Sequence, residues 1–162
     1  MIRPVTPDDS ATVIALAVAS GLFAANETEV VDRMLVDYFS GKIDDGHVCV
    51  IDEEDEPIGV AYYAPAPAAD RTWYLIMVAM RRDRQGQGRG TALLQHVESA
   101  LRANGQRMLL VETSGLPSFE RTRAFYAKCG YEAEARIRDF YNAGDDMVVF
   151  RKALNTDSTP VL

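Results

Sequence analysis

Apolar and polar positions along this chain switch repeatedly between a period of about 3.6 and a period of 2, and each switch marks an element. Ile2–Val5 reads as a short opening strand. Thr6-Pro7-Asp8-Asp9 then offers an N-cap, a proline at the first helical position and acids in the first turn, so a helix follows with Val13, Leu16, Ala17 and Ser20 on one face. A second helix is expected over 27–40, apolar at 30, 31, 34, 35 and 38 and stopped at Gly41. Two strands, 47–52 and 58–64, flank the acidic run Asp52-Glu53-Glu54-Asp55-Glu56 and Pro57. Trp73–Met80 is an apolar run fit for a buried strand. Leu93, Leu94, Val97, Ala100 and Leu101 line the next helix, which stops at Asn104-Gly105. Met108–Val111 is short and continuously apolar, suiting a strand buried on both faces. A short helix through Phe125 and Tyr126 ends at Gly130, where a positive φ is wanted. Two closing strands, about 131–140 and 147–152, are joined through Asn142-Ala143-Gly144. There is no repeat; residues 1–154 read as a single domain and 155–162 as a flexible tail.

The stretch 73–111 is a strand–helix–strand crossover, which predicts two parallel strands, right-handed connectivity and a ligand beyond the strands' carboxyl ends. At the end of the first strand lies Gln85-Gly86-Gln87-Gly88-Arg89-Gly90-Thr91, opening directly into a helix. Glycines let successive backbone N–H groups converge, and the helix start adds the positive end of its dipole, so the segment predicts an anion site, above all for phosphate. Arg81, Arg82, Arg84 and Arg89 point to an anion of more than one charge. A dinucleotide fingerprint beginning at Gly86 or Gly88 requires glycine where Thr91 or Leu93 stands, and a Walker loop requires a lysine before Thr91. Neither pattern is met. At the end of the second strand stands Glu112-Thr113-Ser114. Glu112 is therefore either a site carboxylate or an ordinary strand-end acid bonded to nearby amides.

Gln85-x-x-Gly88-x-Gly90 between strand and helix resembles motif A of the GNAT superfamily of acetyl-coenzyme A-dependent N-acetyltransferases, and Thr122-Arg-Ala-Phe125-Tyr126-Ala-Lys-Cys-Gly130-Tyr131 resembles its motif B. The resemblance spans roughly 72–153. It implies an α+β, three-layer α/β/α fold: a mixed, mostly antiparallel sheet of six to seven strands, a parallel pair splayed at its centre, and about four helices. It implies that Ala79, Met80, Gln85, Gly86, Gln87, Gly88, Arg89, Gly90, Thr91 and Phe125 meet acetyl-coenzyme A, with the loop amides on its pyrophosphate. Tyr126 would face the sulfur and protonate the leaving thiolate, while a main-chain amide near Met80 would serve the carbonyl oxygen. Glu112, a candidate by its place at the strand end and not by any motif, would deprotonate the amine directly or through water. Phe119 replaces an asparagine that often touches the pantetheine arm, and Thr122 replaces an alanine. A rival reading on the same fold is a non-catalytic acyl-coenzyme A sensor.

Charge and composition narrow the partners. The chain of 162 residues has a net charge of −7. Residues 1–60 hold 13 acids against 3 bases, and 61–162 hold 11 against 14, so the basic half coincides with the anion loop. So acidic a chain is a poor partner for nucleic acid. No run approaches membrane-spanning length and no secretion signal opens the chain, so a cytoplasmic location is expected. Cys49 and Cys129 show no metal-ligand spacing, and no metal site is expected. His47 and His96 read as isolated side chains in packing or surface roles. The acidic run 52–56 and the pair Asp145-Asp146 read as solvated, with cation steering as the alternative. The acceptor, a small-molecule or peptide amine, stays open. Leu22, Phe23, Tyr38, Phe39, Asp139, Tyr141, Asp145 and Asp146 would border it if the superfamily pattern holds, and a homodimer is an arrangement the superfamily often adopts.

Overall fold

The computed structural model describes residues 1–23 and 25–154, so the expected tail at 155–162 lies outside the described residues. Seven strands are hydrogen-bonded in the order β1-β2-β3-β4-β5-β7-β6, with β4 and β5 parallel and four α-helices in the connections. These are β1 Ile2–Pro4, α1 Ser10–Ala19, α2 Thr28–Asp37, β2 Val48–Glu54, β3 Glu56–Pro65, β4 Thr72–Met80, α3 Arg89–Ala103, β5 Met108–Ser114, α4 Glu120–Lys128, β6 Glu132–Asn142 and β7 Asp145–Ala153. The mixed sheet, its central parallel pair and the helix count agree with the expected fold class. That parallel pairing covers only Thr72–Leu75 against Met108–Val111. Among the described residues no helix is long and apolar enough to cross a membrane.

The chain forms two compact units. One comprises Met1–Pro65 and Ile76–Val97; the other comprises Ala66–Leu75 and the described residues from Glu98 onward. In the first, Thr6 caps as its sequence predicts: the Asp9 carboxylate accepts from the Thr6 N–H at 2.8 Å and its hydroxyl at 3.0 Å. The turn so capped is a single 3₁₀ turn, Pro7–Asp9, which runs straight into α1. Arg3 forks onto Asp9 and Glu53, and its guanidinium holds both carboxyls below their usual range. Val13, Leu16 and Ala17 of α1 and Val31 and Leu35 of α2 pack on Cys49, Ile51, Val60 and Tyr62. Each large side chain so buried is worth about 1.5–3 kcal/mol. The second helix is shorter than its apolar pattern predicts. α2 ends at Asp37 and the chain widens into a π turn, Tyr38–Lys42, in which Gly41 has non-helical geometry. Burial explains the early exit, since Tyr38 turns into the core and accepts from the Cys49 N–H at 3.3 Å.

In the second unit β5 pairs with β7 and β7 with β6, all antiparallel. β5 is less enclosed than its apolar run suggests: Leu109 and Val111 are buried, whereas Met108 and Leu110 are half-buried, because only alternate residues face the packed side. α4 closes as expected at Gly130, whose φ is +91°, with the Tyr131 N–H donating back to the Tyr126 carbonyl at 3.0 Å. Tyr131 donates its hydroxyl to Glu98 at 2.7 Å, and the other Glu98 oxygen accepts from Lys152 Nζ at 2.9 Å. Glu98 is only 2% exposed, and Lys152 also donates to the Cys129 carbonyl. Burial and the carboxylate both push the Tyr131 phenol up. β6 is the outermost strand and exposed along its whole length; its register breaks between Ile137 and Asn142, where Asp139 adopts φ +55°. Asp145 and Asp146 are committed rather than solvated as expected: Asp145 accepts from Ser114, and Asp146 pairs with Arg136 and accepts from the Asp139 N–H.

Candidate active site

The anion loop belongs to the first unit. β4 ends at Met80, a 3₁₀ turn spans Arg82–Arg84, and α3 begins at Arg89. Gly86 and Gly88 have φ of +76° and +78°, the left-handed region that L side chains rarely adopt. A Cβ at either glycine would meet nothing within 4 Å, so this face of the loop is open. Gly90 lies instead inside the first helical turn. The Ala92 N–H makes the helical bond to the Gly88 carbonyl at 3.0 Å, which leaves the amides of Arg89 and Gly90 ahead of that ladder, as at any helix start. Gln85 turns back and donates Nε2 to the Met80 carbonyl at 3.0 Å, fastening the loop to the strand end. The strand end is itself seated on Gly59, where any Cβ would stand 2.3 Å from the Met80 sulfur. Ala79 and Met80 are buried.

The acidic hairpin between β2 and β3 supplies counter-charge to the loop's arginines, although Glu54, Asp55 and Glu56 at its tip are exposed as expected. Glu54 pairs with Arg84, Glu56 with Arg81, and Asp52 with Arg89 at 2.7 Å. Asp52 is fully buried, its second oxygen and the Arg89 Nε both lacking a partner among the described residues. A run of five acids is read as solvated because composition carries no register. Here the strand pairing, with Glu54 opposite Glu56 and Asp55 at φ +61°, turns the acids toward the loop's cations. Arg82 makes no ion pair among the described residues, and its guanidinium lies against Gly21.

The second unit holds the remaining predicted residues. Tyr126 is 6% exposed, its ring against Phe125, Tyr131 and Phe150. Burial pushes its phenol up, so the group is protonated through the physiological range. Phe125 is half-buried, and Tyr126 takes the enclosed place of the pair. Glu112 is exposed on β5 opposite Val149 and makes no hydrogen bond among the described residues, so it is not the amide-bonded acid of the alternative reading. Burial, then the Glu112 and Asp145 carboxylates, raise the Tyr141 phenol. The predicted residues are thus brought together as two groups: 79–91 in one unit, and 112, 125 and 126 in the other.

Two features escaped the sequence. His47 is not isolated: its Nδ1 lies 2.6 Å from the Tyr62 hydroxyl, the two rings stacking edge to face. His96 is exposed, as expected of a surface side chain. The Glu98–Tyr131–Lys152 triad was equally invisible, its members being 33 and 54 residues apart in sequence.

The profile of the Acetyltransferase (GNAT) family matches residues 16–131. Among solved structures, a protein from Desulfovibrio desulfuricans assigned to the GNAT family superposes with a TM-score of 0.89 at 34% identity, over 96% of this chain and 99% of that one. An aminoglycoside 6'-N-acetyltransferase complexed with coenzyme A gives a TM-score of 0.73 at 15% identity, over 96% and 97%. The ribosomal-protein-S18-alanine N-acetyltransferase from Escherichia coli gives 0.77 at 16%, over 100% and 98%. Comparison with curated proteins gives no match. The chain belongs to the GNAT family of acetyltransferases and is an acyltransferase enzyme.

Proposed function

We propose that the protein is an N-acetyltransferase that moves the acetyl group of acetyl-coenzyme A to a primary amine by direct attack in a ternary complex. The observation that carries this is the open, glycine-built loop at the end of β4, with two residues at positive φ before the first turn of α3. Such a cradle suits a diphosphate, whose oxygens take N–H donors and the positive helix end. Acetyl-coenzyme A, when bound, supplies an activated acetyl group as a thioester. Main-chain amides of 86–91 hold the diphosphate, and Gln85 keeps that loop on the strand end through the Met80 carbonyl. A main-chain N–H near Met80 meets the charge that builds on the carbonyl oxygen. Glu112, exposed and unbonded, takes the amine proton directly or through water, since an alkyl amine of pKa about 10 arrives protonated. Tyr126, kept protonated by its burial, gives its proton to the thiolate. No covalent enzyme intermediate is needed, and much of the acceleration comes from holding both reactants in one geometry. The aminoglycoside and ribosomal-protein neighbours act on a small-molecule and a protein amine respectively, which leaves the size of the acceptor open.

The test is direct. Coenzyme A should raise the melting temperature while ATP and NAD do not, and acetyl-coenzyme A should release thiol when an amine from a panel is added. Gly88→Ala, which places a Cβ at φ +78°, should cost the thermal shift and weaken coenzyme A binding by roughly tenfold or more. Binding that survives this change intact would remove the loop from the proposal. Binding without turnover on any amine would favour the sensor reading.

The ion pairs set a second expectation. Because Glu54 and Glu56 occupy Arg84 and Arg81, the loop's affinity for an anion rests on its amides more than on its guanidinium groups. Arg81 is also held by Asp83, so Glu54→Gln with Glu56→Gln and Asp83→Asn should tighten coenzyme A binding, by about two- to fivefold at low salt, and steepen its dependence on ionic strength. Titration calorimetry at two salt concentrations reads both. Unchanged affinity would mean that these arginines do not reach the ligand even when released.

A further inference from the structure

α2, the π turn after it, β3 and β4 border an open surface depression of about 330 Å³ whose lining includes His47, Tyr62 and Ile76. All of it belongs to the first unit, which also holds the glycine loop. Three independent features mark it as a place that something covers.

The first is apolar. Ile76 is the one exposed residue of β4, 49% accessible in a strand otherwise buried or half-buried, and Val30 across the depression is 57% accessible. Met34 of α2 also lines the depression. A large β-branched side chain left open in mid-strand is unusual, because a strand's exposed positions normally carry polar residues. Ile76 also directly follows Leu75, the last residue of β4 in register with β5. The depression thus reaches β4 where its parallel pairing stops, four residues before Met80.

The second is charge. Five acids of the first 60 residues, Asp9, Asp52, Glu53, Glu54 and Glu56, are committed to arginines. Arg33 and Lys42 line the depression and make no ion pair among the described residues; Asp37 lines it too, and Asp45 lies near enough to act on His47. Those pairs leave Arg33 and Lys42 as the cations of the depression, set beside Asp37 and Asp45.

The third is polar and rigid. The His47–Tyr62 hydrogen bond, 2.6 Å long, is braced by Tyr38, whose ring meets Tyr62 edge to face. Burial and the nearby Lys42 push the His47 pKa down, while Asp45 opposes them. His47 is thus neutral near pH 7, leaving Arg33 and Lys42 as the cations.

We infer that this depression is the acceptor subsite and that it takes a primary amine bearing a carboxylate and an apolar side chain, the chemistry of an apolar α-amino acid. The apolar wall of Val30, Met34 and Ile76 covers the side chain, and Arg33 and Lys42 hold the carboxylate. A pocket of this size suits a ligand of a few to a dozen heavy atoms. Polycationic acceptors are disfavoured by the same two cations. The inference rests on the acetyl-transfer reading for its reaction but not for its binding site.

The experiment separates the two. Calorimetry in the presence of coenzyme A compares L-leucine with L-leucinamide and spermidine, and thiol release from acetyl-coenzyme A is followed with the same three. L-Leucine should bind, and its kcat/KM should exceed that of leucinamide by about tenfold, the worth of a charge-assisted contact to a carboxylate. In the double variant Arg33→Gln, Lys42→Gln, both on the surface and outside the cofactor loop, that ratio should fall towards one while coenzyme A binding is unchanged. Equal use of acid and amide, preference for spermidine, a ratio preserved in the double variant, or no binding of leucine would each overturn the inference. Leucine binding that depends on Arg33 and Lys42 without thiol release would keep the subsite and sink acetyl transfer. Thiol release on amines with no carboxylate preference would do the reverse.

Discussion

Tyr126→Phe should lower kcat by roughly a hundredfold while leaving the dissociation constant of coenzyme A within about a factor of two. The magnitude is the lower end of what a positioned proton donor contributes. The small effect on binding follows from the packing: phenylalanine keeps the ring and its contacts with Phe125, Tyr131 and Phe150, and removes only a hydroxyl that makes no hydrogen bond among the described residues. Coenzyme thiol is a fair leaving group, with a pKa near that of cysteine, about 8.5, so the reaction should be slowed and not abolished. Because burial raises the phenol above its ordinary value of about 10, the wild-type rate should show no alkaline loss from this group below that pH. Steady-state thiol release across pH, paired with calorimetric binding, checks both parts. A kcat equal to wild type would strike Tyr126 from the mechanism.

Glu98→Ala should be the most destabilising single change away from the site. Glu98 is 2% exposed and accepts from both Tyr131 and Lys152, so its removal leaves a phenol and an ammonium facing a small cavity. Breaking one side of a buried ionic network costs about 3–5 kcal/mol, and a chain of this size loses about 2–4 °C in Tm per kcal/mol. A fall of very roughly 6–20 °C is expected by calorimetric or circular-dichroism melting. The pair Glu98→Leu with Lys152→Met, which removes both charges, should recover most of that loss, since a desolvated ion pair adds little over an apolar replacement of similar volume. A double variant as unstable as the single one would mean that the cost lies in the cavity and not in the stranded charge. The sign of the pH effect is fixed as well. Tyr131 is raised in the folded protein, so its contribution is complete below the unfolded value of about 10 and is lost as the pH climbs beyond it.

Much of the architecture was written in local pattern. Gly88 and Gly130 both take the positive φ that their positions at helix ends require, and Thr6 caps its turn together with Asp9. These features depend on neighbours within a few residues, which is why a single sequence exposes them. What stayed hidden is long-range. The partners of Asp52 and Glu54 lie 37 and 30 residues away, so their counter-ions appear only once β2 and β3 are in register. His47 met Tyr62 by the same strand pairing, in which Cys49 stands opposite Tyr62. α2 misled for a different reason. Its apolar spacing continues to Tyr38, but the demand to bury that ring and satisfy its hydroxyl outweighs one further helical turn. The candidate site was legible as far as its motifs extend, which covers the anion loop and Tyr126. The depression at His47 has no motif, because its wall comes from α2, the π turn, β3 and β4, which only folding assembles.

The outermost strand has a bearing on the protein's life at high concentration. An unpaired β edge is an invitation for another chain to add itself, and β6 offers eleven exposed residues, Phe140 and Tyr141 among them. Yet Glu132, Glu134, Arg136 and Arg138 alternate along it, and the left-handed kink at Asp139, clasped by Asp146, interrupts the straight run that a docking strand would need. The sheet therefore carries its own terminator, and the two aspartates that look like idle surface charge are part of what keeps neighbouring molecules from zipping together.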